Sequence, residues 1–142
     1  MINKVLLAVD GSENALRAAR FTIGLLRSIA TARCTIITIV SFTREEARYL
    51  GVSDIDYSAA LETRVQGLLK DTRELFSREG MVMEEVVLQG DVARNIVHYA
   101  RDHAFDIIVV GTRGLSNTKG MLLGSVSYKV IQMAHCPVIT VK

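Results

Sequence analysis

Between Gly111 and Gly124 the chain places four of its ten glycines, at 111, 114, 120 and 124, where an even spread predicts about one. Ser125 and Ser127 follow directly, Arg113 and Lys119 lie inside the segment, and no acidic residue interrupts it. Glycine lets a ligand press against the main chain. A glycine loop that ends at a helix start also turns free N–H groups and the positive helix end outward. Hydroxyls and cations add further donors, so the segment predicts a phosphate-binding loop. It is not a Walker A loop, because no glycine here precedes Lys followed by Ser or Thr. Nor does the turn after the first apolar run, Asp10-Gly11-Ser12, carry the dinucleotide fingerprint. The spacing is G-x2-G-x9-G-S.

Charge is distributed in keeping with that reading. The net charge is +2, but residues 1–106 hold all fifteen acids against thirteen bases, whereas residues 107–142 hold only Arg113, Lys119, Lys129 and Lys142. A field of one sign along a short segment favours an anionic partner. With no lysine-arginine run and few aromatics beside the basic residues, nucleic acid is not expected. The other reactive residue types do not assemble into sites. His98 shares a helical face with Arg94, Arg101 and Asp102, His103 is off the i, i+4 spacing of a metal pair, and His135 stands in a loop. Glu84 and Glu85 are neighbours on a strand and point to opposite faces. Cys34 and Cys136 read as small hydrophobes, buried or half-buried.

Elements that position the loop follow from periodicity. Five β-like runs, residues 4–9, 35–40, 83–88, 106–110 and 137–141, alternate with four helix-like stretches. Leu16, Ala19, Ile23, Leu26 and Ala30 form the first apolar stripe. Leu61, Val65, Leu68, Leu69, Leu75 and Phe76 form the second. Val92, Ala93, Ile96, Val97 and Ala100 form the third, with Asp91 as N-cap. Val126, Val130, Met133 and Ala134 form the fourth. Residues 41–58 lack a clear period and are expected to be a mobile, partly helical excursion. Strand–helix alternation implies right-handed crossovers and a parallel sheet covered on both faces. The first, second and fourth runs are the most apolar and suit the centre; the third, with its two carboxylates, and the fifth, after the single proline, suit edges. The order 3-2-1-4-5 satisfies this and sets the topological switch point between strands 1 and 4, beside Val9 and Val110.

At 142 residues, 49% hydrophobic and 23% charged, the chain reads as one soluble globular domain, residues 1–142. The opening apolar run is too short for an export signal and no stretch is long enough to span a membrane. Two distant cysteines fit a reducing compartment, so the expected localisation is cytoplasmic. The last strand is a short apolar edge guarded only by Lys142, which invites two-fold pairing with a second copy.

Gly111, Gly114, Gly124 and Ser125, with Ile107-Ile108-Val109-Val110 before them and Val126-Ser127 after, resemble the ATP-binding signature of the universal stress protein family. Val9-Asp10-Gly11-Ser12, Leu88-Gln89-Gly90-Asp91 and His135-Cys136-Pro137-Val138 resemble further landmarks of that family, so the likeness runs through nearly the whole chain. It implies a Rossmann-like, adenine nucleotide alpha-hydrolase-like fold and a homodimer. It also implies a site for ATP and Mg²⁺. Ala8, Val9 and Asp10 would line the adenosine end, with Asp10 near the ribose or a phosphate-bound Mg²⁺. Val40 matches a position whose backbone contacts adenine. Val110 and Gly111 would approach the ribose, Arg113 and Gly114 would begin the phosphate loop, and Gly124, Ser125, Val126 and Ser127 would hold the phosphates. The residues themselves leave open that Asp10 caps the turn into the first helix and that Val40 is core. Gly120-Met121 departs from the family, which often has a basic residue there. The implied function is a non-catalytic, nucleotide-dependent stress-response or regulatory module, with at most slow ATP hydrolysis, since the loop holds no acid or histidine to orient a water. The alternative is an adenylyl-transfer enzyme, against which stands the missing Ser-Gly-Gly-x-Asp-Ser type of loop after strand 1.

Overall fold

In the computed structural model, which describes residues 1–113 and 123–142, five strands are joined by five helices, two of them between β2 and β3: β1 Lys4–Ala8, α1 Glu13–Ser28, β2 Arg33–Val40, α2 Arg44–Tyr49, α3 Asp54–Arg78, β3 Met83–Gln89, α4 Val92–Asp102, β4 Ile107–Gly111, α5 Ser125–Met133 and β5 Val138–Val141. The sheet is parallel throughout, in the order β3-β2-β1-β4-β5. Side chains on a strand alternate between faces, so β1 divides its apolar run between two cores. Val5 and Leu7, with Val9 just beyond, pack with Ala18, Ile23, Leu69 and Phe76 beneath α1 and α3. Leu6 packs with Ile96, Val97 and Val130 beneath α4 and α5. Central strands buried on both faces need continuous apolar runs, and edge β3 can leave Glu84 and Glu85 exposed.

Most differences from the sequence reading are at element boundaries. The first strand stops at Ala8, β2 starts two residues earlier than expected, and β4 runs on to Gly111. The stripe of α1 is Ala15, Ala18, Ala19, Thr22, Ile23 and Leu26. Leu16 is only half-buried, and Ala30 is exposed beyond the helix end. Thr22 joins the core because its hydroxyl donates to the Ala18 carbonyl at 2.8 Å, which removes the cost of burying it. On α5, Met133 is exposed and the buried positions are Ser127 and Val130.

Residues 41–58 are partly helical, as expected, and their helices have defined caps. They contain α2 and the first turn of α3. Thr43 and Glu46 form a reciprocal capping box at the start of α2, and the Ser53 hydroxyl accepts the Asp56 N–H at the start of α3. Tyr57 is buried and its hydroxyl donates to the Phe42 carbonyl at 2.7 Å, tying α3 to the end of β2. Helix α2 is too short to display a period, so its caps are what define it.

Candidate functional site

Strands β1 and β4 are hydrogen-bonded neighbours, and their connections leave to opposite sides of the sheet. A crevice therefore opens at their carboxyl ends. It is a cavity of about 400 Å³ lined by the end of β1 (Ala8, Val9, Asp10), the start of α1 (Ser12, Ala15), β2 (Ile37, Ile39, Ser41), α4 (Val92, Ile96), the end of β4 (Val110, Gly111, Arg113) and the start of α5 (Gly124, Ser125, Val126, Ser127). That volume is in the range of small-molecule sites. The lining combines apolar side chains, Ala8, Ile37, Ile39, Val92, Ile96, Val110 and Val126, with hydroxyls, main chain, Asp10 and Arg113. A ligand with an apolar body and an anionic tail matches this composition.

Helix α5 supplies part of the polar lining. Side chains cap the other four helices, through Ser12, Thr43, Ser53 and Asp91. At α5 the N-cap is Gly124, with no side-chain hydrogen bond. The first N–H groups of a helix have no partner within it, and among the described residues no side chain caps those of Ser125, Val126 and Ser127, which line the cavity. Together with the positive helix end they favour an anion.

The base of the loop is closed by hydrogen bonds. The Gly124 N–H donates to the Thr112 carbonyl, and the Thr112 N–H donates to the Val141 carbonyl at 2.8 Å. The Ser127 hydroxyl donates to the Gly111 carbonyl at 2.6 Å and lies 3.2 Å from the Thr112 carbonyl. Ser127 is buried, and its one hydroxyl proton is thus committed to the main chain; Ser125 is exposed at the mouth. Opposite them, the Asn14 amide reaches the Thr112 hydroxyl at 3.4 Å.

Asp10 is half-buried, and its Oδ1 accepts the Ser12 N–H at 2.9 Å. Ser12 in turn caps α1 by accepting the Ala15 N–H at 3.1 Å. Asp10 therefore does shape the turn, but its second oxygen has no hydrogen-bond partner among the described residues. Asp10 and Arg113 are the charged residues among the described lining.

Eleven of the twelve residues singled out from the sequence fall within the described part of the chain, and ten of these line one cavity. Val40 does not. Ile37, Ile39 and Ser41 take the alternate positions that face the cavity, and the Val40 carbonyl accepts the Gly90 N–H at 3.0 Å. Gly114, the twelfth, lies outside the described residues, as do Lys119 and Gly120. Sequence reasoning missed Ile37, Ile39 and Ser41, which strand alternation could have indicated, and Ile96, which it read only as helix core. Asn14 and Thr112 gave no signal, because they meet only through the β1–β4 register.

The chain matches the model of the universal stress protein family over residues 1–142. It belongs to that family. It is 32% identical, over 151 aligned residues, to the universal stress protein YxiE of Bacillus subtilis strain 168, with all of both chains covered. Among solved structures, the hypothetical protein MJ0577 of Methanocaldococcus jannaschii superposes with a TM-score of 0.84 at 24% identity, covering 100% of this chain and 96% of the other. A universal stress protein solved in complex with cAMP superposes with a TM-score of 0.73 at 26% identity, covering 99% and 97% of the two chains. Among the described residues no helix is long and apolar enough to cross a membrane.

Proposed function

We propose that this universal stress protein binds ATP, and that it acts as a nucleotide-dependent regulatory module. The observation that carries the proposal is that the start of α5, with no side-chain cap among the described residues, lines the same cavity as apolar side chains of β2 and α4. In this reading adenine lies against Ile37, Ile39 and Ile96, and ribose lies between the ends of β1 and β4. The phosphates meet the N–H groups of Ser125, Val126 and Ser127, the Ser125 hydroxyl and Arg113. Gly114 belongs to the same proposal through its place in the glycine spacing. Val40 would act through its main chain alone. Ser127 would contribute its N–H, while its hydroxyl holds the loop base. The neighbour solved with cAMP supports an adenine nucleotide as the ligand class.

Mg²⁺ fits this site as a companion of the nucleotide. One carboxylate, with one oxygen unpartnered among the described residues, is too few ligands to hold the ion alone, and Mg²⁺ is commonly bound by one or two carboxylates, waters and substrate phosphates. Asp10 would hold it from the protein side, and the ion would neutralise phosphate charge.

A non-catalytic role is supported by the same lining. Asp10 is the acid among its described members, one oxygen is committed to Ser12, and no histidine is present there to take a proton from water. Hydrolysis would be slow. We further propose a homodimer through β5, an edge strand of four half-buried residues whose outer side has no strand beside it in the sheet. Light scattering at the mass of two chains supports that part, and the mass of one chain opposes it.

Calorimetric titration with ATP and with adenosine, on the native chain and on Ser125→Glu, tests the nucleotide assignment. A carboxylate in the first turn favours the helix, so the variant keeps its fold, yet it repels phosphate. ATP affinity is expected to fall by at least about tenfold while adenosine binding changes little. Equal loss for both ligands, or no loss for either, contradicts the proposal.

A further inference from the structure

A second concavity, about 470 Å³ and open to the surface, lies on α2, lined by the apolar side chains of Phe42, Tyr49 and Leu50 and by the carboxylates of Glu45 and Glu46. Tyr49 is 91% exposed, Leu50 68% and Phe42 44%, and Ile55 on the first turn of α3 is 82% exposed. Single exposed apolar residues need no explanation, but Phe42, Tyr49 and Leu50 line one concavity together and form a patch.

This patch is displayed on a fixed support. The α2 capping box holds one end. At the other, the Arg48 guanidinium makes two hydrogen bonds to the Asp54 carboxylate, at 2.8 and 2.7 Å. Arg44 lies over the Tyr57 ring, 4.9 Å from its centroid, and donates to the Ser58 hydroxyl. Ala47 is fully buried beneath, and the Val52 N–H donates to its carbonyl. Both arginines of α2 are therefore committed to α3. The charges left beside these apolar side chains are carboxylates. Glu46 is partly used by Thr43, and Glu45 has no ion-pair or hydrogen-bond partner among the described residues.

We propose that this groove docks a polypeptide segment that presents large apolar side chains next to lysine or arginine. Tyrosine and leucine on a rigid support supply contact area at little entropic cost, and the carboxylates select the sign of the partner. A second copy meeting the same surface by two-fold symmetry would oppose one set of carboxylates to another. Anionic lipid headgroups would be repelled likewise. The groove begins at Phe42, directly after the cavity-lining Ser41, but it requires no nucleotide.

Fluorescence anisotropy with a labelled amphipathic leucine–lysine helical peptide, and with its leucine–glutamate counterpart of identical apolar pattern, tests this. The native chain should bind the lysine peptide more tightly. Leu50→Ser, at a largely exposed position, should weaken that binding by about tenfold or more, and Glu45→Gln, which removes the charge without placing a cation in the first turn of α2, by several-fold, with the native circular dichroism retained in both. Three results overturn the proposal: equal binding of both peptides, unchanged binding by both variants, or loss of oligomer mass in Leu50→Ser, which would make a second copy the occupant.

Discussion

Asn14 on α1 and Gly111 at the end of β4 approach so closely that a Cβ on Gly111 would lie 2.9 Å from the Asn14 main-chain carbon and from its Cβ. The backbone of α1 therefore rests directly on the last residue of β4. That contact, with the Asn14 to Thr112 hydrogen bond, sets the width of the crevice from which the loop departs. Gly111→Ala must push α1 away, since the obstructing atoms are backbone and Cβ rather than a flexible side-chain end. We expect a loss of about 1–3 kcal/mol, measured by urea denaturation, together with weaker nucleotide binding. Full stability in this variant would show that α1 can give way at no cost.

Ser127 and Ser125 should separate stability from binding. Ser127→Ala removes a buried hydroxyl and leaves the Gly111 carbonyl without that donor, so about 1–3 kcal/mol of stability should be lost. Ser125→Ala leaves the fold within about 0.5 kcal/mol, as for other surface changes, but weakens ATP. Paired denaturation and titration curves for the two variants check this. The reverse pattern would assign Ser127, not Ser125, to the phosphates.

Asp91 accepts the Arg94 N–H at 2.9 Å and caps the helix that carries Val92 and Ile96 to the cavity. Asp91→Ala should cost about 1 kcal/mol by denaturation, and Asp91→Asn much less. Equal loss in both would point to charge rather than capping as the cause.

The order of strands, their direction and the place of the crevice were legible in the sequence because each rests on a local pattern. Central strands such as Val5-Leu6-Leu7 need apolar side chains on both faces, and Gly111, Gly124 and Ser125 of the glycine spacing line the crevice. Asp91 was legible as a cap for the same reason, since a cap acts within its own turn. Helix α2 was not, because six residues carry too little period. Asn14, Thr112 and the role of Ser127 were hidden for a different reason. Their partners are 15 to 98 residues away in sequence, and the register of the sheet decides which atoms meet.

Burial pushes the Cys34 thiol from 9.0 up to about 12, and Cys34 is 2% exposed on β2. The folded state favours the protonated thiol. Its contribution to stability is therefore complete below pH 9 and is lost progressively as pH rises toward 12. At pH 8 a disulfide reagent should modify Cys136, which is half-buried, and reach Cys34 only on unfolding. Two thiols titrating at the same rate in the native protein would contradict the buried position of β2.

The edge pair Arg73–Glu85 gives a second pH dependence of opposite sign. Both carboxylate oxygens accept from the guanidinium at 2.7 Å, and this hydrogen bonding holds the Glu85 carboxyl below the usual glutamate range. The stabilisation is present above the ordinary glutamate value and is lost as pH falls through the lowered one. Both side chains are partly exposed, so Glu85→Gln should cost no more than about 1 kcal/mol at pH 7, and the difference from the native chain should vanish in acid. A difference that persists unchanged at low pH would assign the effect to packing.

The central claim is that the first main-chain N–H groups of α5 receive the phosphates of an adenine nucleotide. Titration of the ¹⁵N-labelled chain with Mg²⁺–ATP, followed by titration with adenosine, reads those groups one by one. The account predicts that the Ser125, Val126 and Ser127 amide resonances shift strongly with ATP and little with adenosine, while Ile37, Ile39 and Ile96 respond to both. If the three α5 amides stay unmoved under millimolar ATP, or move equally with adenosine, the phosphates do not bind there.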